Sequence, residues 1–407
     1  MPVYSYVARD NKGAKHRGTI TAESKQRAIQ ELQLKGLYPD KLVEEERKLF
    51  GFSIGGVATT RVKPAELLVF TRQLSTIISA GLPLLQGLEI LAEQTENPNF
   101  AKVIYSVAEY VEGGDTFSDA LKRYPKAFPE LYVSLVRAGE ASGNLDGVLL
   151  QLADYLEASE ELKRRIRSAM TYPVVAFSMI ILIATGLVVF VVPQFAEIFA
   201  SFGRELPAPT QLLINLSNAL RTVYAWAVIL GSIIGIVAFL RIYGATPLGR
   251  YNLDQIKLRL PVFGDLIRKV SISRFTRTLS TLIKSGVPIL EALEIVEKTA
   301  GNEVFARAIR NSSDGVRNGN PLSEPLAQSG VFPPMVTRMI AVGEKTGELE
   351  NMLKKISDFY DSEVRAKVDA LTSLIEPILI GIMGLVVGSI IIALFLPIFQ
   401  LSTLVQV

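Results

Sequence analysis

The side chains that most often carry enzymatic chemistry are scarce in this sequence. It contains no cysteine, and its single histidine, His16, lies between Lys15 and Arg17 in a predicted exposed strand. The usual nucleophile–base pairs and zinc sites are therefore excluded. No GxxxxGK loop followed by Ser or Thr is present, so the chain has no P-loop of its own. We predict a protein that is not an enzyme and has neither catalytic residues nor a cofactor.

Acidic residues provide the one sharper chemical hypothesis. Glu140 and Glu344 occupy matching places in two Gly-Glu-x-x-Gly turns, and Asp146 and Glu350 follow shortly after them. Such carboxylates could bind a divalent cation or a basic partner surface. The simpler interpretation, which we favour, is solvation at helix ends and pairing with helix N-terminal dipoles. These four residues are therefore weak candidates for a metal site.

A stretch that occurs twice must position these residues. FTRQLSTIISAGLPLLQGLEILAEQ begins at Phe70, and FTRTLSTLIKSGVPILEALEIVEKT begins at Phe275, 205 residues later. Each copy predicts a helix, a tight turn at Gly-x-Pro and a second antiparallel helix. Partner contacts are expected on the polar face of this unit and at the turn carboxylates. The predicted partner-binding residues are Arg72, Gln73, Glu140, Arg277 and Glu344.

The duplication covers a whole module. A period this long indicates duplicated domains and not a solenoid, whose units have about 20 to 50 residues. Glycines and prolines recur in order and predict the same turns and helix ends in both all-α bundles. The predicted structural residues are Gly81, Pro83, Gly139, Gly143 and Pro173 in the first copy, and Gly286, Pro288, Gly343, Gly347 and Pro377 in the second.

Three segments without charge predict membrane spans. No charged residue lies between Arg167 and Glu197, between Arg221 and Arg241, or after Glu376. Each gap can hold the roughly 20 apolar residues that cross a bilayer as a helix. Helices buried in a soluble core rarely extend so far without charge. The spans are predicted at residues 174–193, 223–240 and 377–399.

The fold predicted is mainly α: a polytopic membrane protein with two homologous cytoplasmic helical bundles, three transmembrane helices and a small N-terminal α/β unit. That unit has predicted strands at residues 3–8, 15–21 and 37–43, and a helix at 23–35. In chain order we expect the N-terminal unit (1–49), a linker (50–62), the first module (63–172), span 1 (173–193), an outer periplasmic loop (194–222) with a short helix at 211–220, span 2 (223–240), the second module (241–376), span 3 (377–399) and an outer tail (400–407).

Basic residues predict the orientation. They cluster before the first span and after the second, at Lys163, Arg164, Arg165, Arg167, Arg241, Arg250, Lys257 and Arg259. The positive-inside rule then places both modules and the N-terminus in the cytoplasm and the C-terminus outside. Two copies of one module in one compartment need an even number of crossings between them, and two spans separate them. The net charge of +3 is too small to suggest nucleic acid.

The ordered, duplicated motifs resemble the inner-membrane platform proteins of type IV pili and type II secretion, the PilC/GspF family. The resemblance covers nearly the whole chain. It rests on the Phe-Thr-Arg opening, the Gly-x-Pro turn, the Ala-Gly-Glu-x-x-Gly-x-Leu turn at 138–145 and Tyr172-Pro173. The segments at 191–195, 206–210, 301–302 and 396–399 look more like the pilus branch.

The resemblance implies a non-enzymatic platform in the bacterial inner membrane. Its implied partners are a cytoplasmic hexameric assembly or retraction ATPase, pilin or pseudopilin membrane helices, other inner-membrane machine components, the lipid bilayer and further copies of itself. We hypothesise that the helices predicted over 145–170 and 349–375 act as levers, because each is nearly continuous with a span. The alternatives are a type II secretion platform handling pseudopilins, and a channel or transporter.

Overall fold

The computed structural model describes residues 61–200 and 207–402, the backbone of 3–9, 15–21 and 38–45, and positions 27 and 29. Contacts divide the chain into two compact units, Met1–Thr60 and Arg61–Val407. Residues 50–60 of the linker predicted at 50–62, and the end of the predicted outer tail, 403–407, lie outside the described residues.

The N-terminal unit contains a three-stranded antiparallel sheet in the order β2-β1-β3. The strands are β1 (Val3–Arg9), β2 (Lys15–Thr21) and β3 (Tyr38–Glu45), where the sequence predicts strands at 3–8, 15–21 and 37–43. Arg27 and Ile29 are helical, and the rest of the helix predicted at 23–35 lies outside the described residues.

The first module is helical from Pro64 onwards. Pro64 begins the first helix, where the missing amide of a proline costs no hydrogen bond. Apolar residues at helical spacing face inwards, so Leu67, Phe70 and Leu74 are buried. The helices are α1 (Pro64–Ser79), α2 (Leu84–Gln94), α3 (Pro98–Glu112), α4 (Phe117–Lys122) and α5 (Glu130–Ser142).

Two very long helices leave the modules towards the predicted membrane region. Helix α6 (Leu145–Gly186) has 42 residues and α16 (Leu349–Ser402) has 54. Pro173 and Pro377 lie inside these helices, so the predicted module boundaries at 172 and 376 are not helix ends. Helix α6 is followed by a π-helical segment, Leu187–Val191, and by α7 (Val192–Ala200), which continues past the predicted end of span 1 at Pro193.

The second module repeats the plan of the first with an extension at its start. Helix α10 and about the first three turns of α11 precede the repeated stretch, which begins at Phe275. The helices, after α8 (Ala208–Arg221) and α9 (Val223–Ala245), are α10 (Pro247–Arg259), α11 (Phe263–Lys284), α12 (Ile289–Thr299), α13 (Glu303–Arg317), α14 (Ser323–Gln328) and α15 (Pro334–Thr346).

An aromatic cluster marks the core of each module at equivalent positions. In the first, the ring of Phe70 lies 5.5 Å from that of Phe100 and 6.1 Å from that of Phe128. In the second, the ring of Phe332 lies 4.9 Å from that of Phe275 and 5.2 Å from that of Phe305. These six residues occur in the same order in the two copies, so the duplication extends from the sequence to the packed core.

Three helical stretches of the described chain are long and apolar enough to span a membrane: Leu145–Glu197, Val223–Ala245 and Leu349–Pro397. The first and third meet near one end, where Val188, Val192, Leu213, Ile390 and Leu394 form a buried cluster with α8 between them. The second, α9, contains no buried residue and packs mainly against its sequence neighbours α8 and α10.

Candidate functional site

The turn carboxylate of the first module binds the beginning of a neighbouring helix. Glu140 lies near the end of α5, and its two oxygens accept hydrogen bonds from the backbone amides of Phe117 at 2.6 Å and Ser118 at 3.0 Å. These amides belong to the first turn of α4, where no intrahelical acceptor is available. Thr116 caps the same helix by accepting from the amide of Asp119 at 3.2 Å.

The second module repeats this contact. Glu344, near the end of α15, accepts from the amides of Leu322 and Ser323, the latter at 3.1 Å. A carboxylate at a helix N-terminus gains both charge-assisted hydrogen bonds and a favourable dipole interaction. The geometry therefore supports the simpler interpretation of these residues, pairing with a helix N-terminus.

The other two acidic candidates do not join a metal-binding cluster. Asp146 is exposed in the first turn of α6. Glu350 is half-buried in the first turn of α16, and its backbone carbonyl accepts from Ser280 Oγ at 3.2 Å. Among the residues that the structure describes, no three His, Asp or Glu side chains are grouped so that they could hold a metal ion. Cation binding by these residues stays a prediction.

The glycines of the turn motif lie at positions where a side chain would be strained or would clash with the next helix. Gly143 and Gly347 end α5 and α15 with φ values of 69° and 74°, in the left-handed region that glycine favours. Gly139 and Gly343 lie where the following long helix approaches closely. A Cβ on Gly343 would lie 2.8 Å from the Cα of Leu349. The motif thus encodes the corner from which each long helix starts.

The repeated arginine of the first copy binds the long helix of its own module. Arg72 Nη2 lies 2.9 Å from Asp154 Oδ1 and also contacts the carboxylate of Glu157. The hydrogen bond to Glu157 raises the pKa of Arg72. The arginine side chain is 38% exposed, so it lies at the surface, and Gln73 beside it is exposed too.

The repeated arginine of the second copy is buried. Arg277 pairs with Asp361, and both side chains are less than one-fifth exposed, at 16% and 14%. Its Nε also donates to Ser357 Oγ at 3.3 Å. Burial lowers the pKa of Arg277 below that of an ordinary arginine. The same sequence motif therefore gives a surface ion pair in one module and an interior one in the other.

The two modules contact each other through polar groups. Tyr155 and Thr278 share a hydrogen bond of 3.2 Å, and Ser285 Oγ donates to Gln151 Oε1 at 3.0 Å. A cavity of about 570 Å³ lies between α5 and α12, with Arg137 and Glu294 among the residues of its lining. The interface between the two modules therefore contains a cavity.

The long helices α6 and α16 run parallel and pair at positions related by the duplication. Arg365 binds Glu161 at 3.0 Å, and Arg165 binds Asp369 at 2.9 Å. Each pair joins residues 204 positions apart, the offset that relates the two Gly-Glu-x-x-Gly turns. Sequence reasoning missed these four residues. The signal that could have found them is opposite charge at equivalent positions.

Two family models match the chain. The model described as type II secretion system (T2SS), protein F, matches twice, at residues 70–193 and 275–397, and so matches each module together with the span that follows it. The model for the N-terminal domain of protein F matches residues 1–43. The chain belongs to the type II secretion system protein F family.

Relatives of full length place the chain within that family. It is 43% identical to the type IV pilus assembly protein PilC of Myxococcus xanthus, over 99% of this chain and 96% of the relative. It is 44% identical to the PilC protein of Thermus thermophilus, over 98% of each. The type II secretion system protein F of Vibrio cholerae is 34% identical over the whole of both chains. The protein F family member described here fits the PilC branch, and with its three apolar helices it is a protein of the inner membrane.

Proposed function

We propose that this protein is a non-enzymatic platform of a type IV pilus machine, which couples a cytoplasmic hexameric ATPase to extraction of pilin from the membrane. The observation that supports this most directly is the continuity of α6 and α16 from the modules into the apolar segments. At about 1.5 Å per residue, α6 is about 63 Å long and α16 about 81 Å long. A displacement of either module is therefore carried directly to helices in the membrane.

The pairing of the long helices makes this transmission stiffer. A single long helix bends, whereas two helices that pack side by side and exchange ion pairs resist bending together. The pairs at Glu161–Arg365 and Arg165–Asp369 lie a few residues before the apolar segments begin. In this proposal the paired part of α6 and α16 works as a double lever between the modules and the membrane.

The proposal includes an orientation and a set of partners. Both modules, 63–172 and 241–376, lie in the cytoplasm with the N-terminus, and the C-terminus lies in the periplasm, because the basic residues flank the spans on the module side. The ATPase binds the modules, other inner-membrane components bind around the spans, and several copies assemble into one platform. Of the five predicted partner-binding residues, Gln73 is exposed. The other four, Arg72, Glu140, Arg277 and Glu344, each have a hydrogen-bond or ion-pair partner within the chain.

A flexible insertion tests the lever. A short Gly-rich segment placed next to Ala169 interrupts α6 just below the apolar part. We expect pilus assembly to be lost while the ATPase still co-purifies with the full-length protein, because the binding surfaces are intact and only the mechanical link is broken. Pilus formation and co-purification are measured in the same cells.

The control is the same insertion between Gly113 and Gly114, two exposed residues in the turn between α3 and α4. It adds the same flexible residues without interrupting a long helix, so assembly should continue. Normal assembly with the insertion at Ala169 contradicts the lever. Loss of ATPase co-purification in that variant would show that the insertion damages the binding surface.

The secretion branch provides a second candidate function. The full-length similarity to the Vibrio cholerae protein F favours it as the alternative. A pull-down from native membranes separates the two, because a pilus platform should recover pilin and its ATPase, and a secretion platform should recover pseudopilin and its ATPase.

A further inference from the structure

The corner between α9 and α10 is rigidly built. Thr246 Oγ1 accepts from the amide of Gly249 at 3.1 Å and donates to the carbonyl of Tyr243 at 2.7 Å. Tyr243 also accepts from Asn252 Nδ2 at 3.0 Å through its hydroxyl group. Gly249 approaches the Tyr243 carbonyl so closely that any Cβ there would clash with it. The end of α9 and the start of α10 therefore hold a fixed angle.

A cavity of about 480 Å³ lies in this corner. Leu240, Gly244 and Ala245 of α9 form one wall, α10 forms another, and Gly301 from the turn before α13 closes a third side. The basic residues of the lining are Arg241, Arg250 and Lys257, and the one acidic residue of the lining is Asp254. The cavity is therefore lined by apolar residues together with three basic side chains, one of which, Arg241, belongs to α9.

The charges around the cavity do not cancel. Lys257 pairs with Asp254 at 2.7 Å, and Arg250 pairs with Glu303 at 3.6 Å. Arg241 has no ion pair or hydrogen bond with any residue that the structure describes, and it is exposed. One full positive charge thus faces the cavity without an internal partner.

A further basic side chain, that of Arg274, lies beside Gly301. The guanidinium of Arg274 occupies the space where a Cβ on Gly301 would lie. Glu303 also receives Arg307 at 3.8 Å, so its carboxylate is shared between two arginines and does not neutralise either one fully. An anion entering the corner meets basic side chains of α9 and α10, and Arg274 of α11 lies behind Gly301.

The position of the cavity points to a lipid and not to a dissolved anion. Helix α9 has no buried residue, and Leu240 at the cavity is exposed, so acyl chains can lie along the part of α9 that α8 and α10 leave uncovered. Tyr243 stacks on Phe239 at 5.8 Å near the end of the span, where aromatic residues commonly mark the headgroup level. Beyond the corner, Leu248 and Ile256 of α10 are 71% and 57% exposed.

We propose that the α9–α10 corner binds the headgroup phosphate of an anionic phospholipid, with Arg241 as the main ligand and the acyl chains along α9. Basic pockets beside a transmembrane helix are known to bind acidic headgroups. A bound lipid covers the otherwise unpartnered α9 and fixes the height of the second module relative to the membrane. This inference concerns the corner alone and is independent of the coupling function.

Native mass spectrometry of the full-length protein in detergent tests this proposal. The protein is titrated with phosphatidylglycerol and, separately, with phosphatidylcholine, and the affinity of the first bound lipid is measured. The intact protein should prefer phosphatidylglycerol. Arg241→Gln should weaken its binding about fivefold, the effect expected for one basic side chain near an anionic lipid. Arg241→Lys should keep most of the preference, because it keeps the charge.

The matched control is Arg167→Gln. Arg167 is also exposed, has no ion pair among the described residues and lies just below another span, but it does not line the cavity at the α9–α10 corner. Its substitution should leave the affinity unchanged, and circular dichroism should show that both variants keep their helices. Equal binding of the two lipids by the unaltered protein, or equal losses in both Gln variants, would overturn the proposal. Displacement of the lipid by inorganic phosphate, but not by chloride at equal ionic strength, would show a site for free phosphate instead.

Discussion

The carboxylates of Glu140 and Glu344 stabilise helices that cannot stabilise themselves. Helices α4 and α14 have six residues each, and isolated helices this short are unstable because nucleation is costly. At the start of each helix, two backbone amides donate hydrogen bonds to the carboxylate of a glutamate more than 20 residues away in sequence. A partner that competed for these carboxylates would have to release a short helix.

Removing the charge should therefore loosen α4 locally. We expect Glu140→Gln to lower the free energy of opening at the amides of Phe117 and Ser118 by about 1–2 kcal/mol, since bonds to a charged acceptor are replaced by bonds to a neutral one. Hydrogen exchange of the full-length protein, followed in peptides that cover α4, measures the change. Glu344→Gln should have the same effect on α14.

Glu109→Gln is the control, because Glu109 is exposed on the neighbouring α3 and its side chain caps no helix in the described structure. Unaltered exchange at Phe117 and Ser118 in Glu140→Gln would contradict the capping role.

The two repeated arginines should differ strongly in their contribution to stability. Arg277→Ala leaves the largely buried carboxylate of Asp361 with a hydrogen bond from Ser273 Oγ but no ion pair, and should lower the free energy of unfolding by up to about 3–5 kcal/mol. Arg72→Ala removes an exposed pair and should cost about 0–1 kcal/mol. Thermal unfolding of the detergent-solubilised chain compares them under identical conditions.

A double variant separates the lost pair from lost packing. Replacing Arg277 by Met and Asp361 by Leu removes both charges together and should recover much of the stability. Equal destabilisation by Arg72→Ala and Arg277→Ala would show that the burial difference has no energetic effect.

Among the elements, α6 and α16 are distinguished by contacts between equivalent positions. Parallel helices related by a two-fold axis touch in this way, as they do in a parallel coiled coil. The charges that meet there are opposite, so these contacts attract where exact copies would repel. The attraction is modest per pair, because all four side chains are more than one-third exposed.

Charge exchange tests this pairing. Arg165→Asp and Asp369→Arg each place like charges opposite one another, and the double variant restores an opposite pair with the polarity reversed. We expect a coupling free energy of about 0.2–1 kcal/mol in a double-mutant cycle of thermal unfolding, weakening at high salt. Strictly additive effects of the two substitutions would show that the pair contributes nothing.

Much of this architecture could be predicted from the sequence, because its signals are local. Helical spacing and the Gly-x-Pro turns predicted the helices of the modules, and the charge-free gaps predicted three apolar segments, which lie in the three helical stretches long and apolar enough to span a membrane. The continuity of α6 through Pro173 was harder to predict, since proline usually ends a helix in a soluble domain but is tolerated near membranes. Helix α10 precedes the repeated stretch, which begins at Phe275, so the duplication could not predict it.

The predicted sites were limited by long-range packing. Arg72 and Arg277 have the same local sequence, and only the tertiary structure shows that Arg277 is buried. The partners of Glu140 and Glu344 lie more than 20 residues away and are backbone amides, which leave no trace in side-chain patterns. Arg165 and Asp369 are 204 positions apart, the offset between the two copies. Predicting this pair would have required a search for opposite charges at equivalent positions of the copies.

At the scale of the whole molecule, the chain after the N-terminal unit is one module and its span used twice, with α8 and α9 between them. The membrane orientation concerns the whole chain, because both modules must lie on the same side of the membrane if α9 crosses it back after span 1. The absence of native cysteine makes the test direct, since a single introduced thiol is the only site of labelling.

A membrane-impermeant maleimide should label Gln211→Cys, in α8, in spheroplasts. It should label Asp119→Cys and Asn318→Cys, at the surface of the first and second modules, only after the membrane is permeabilised. All three positions are exposed. Labelling of either module position in intact spheroplasts would contradict the proposed orientation.

The opposite charges on α6 and α16 also say something about the ancestry of the chain. A single-module ancestor that paired with its own copy would have placed identical side chains opposite each other, Glu161 against Glu161 and Arg165 against Arg165. Gene fusion removes that restriction, because the halves are then always made in equal number and can diverge separately. A partner that contacts both modules consequently meets two unlike halves in each copy of this chain.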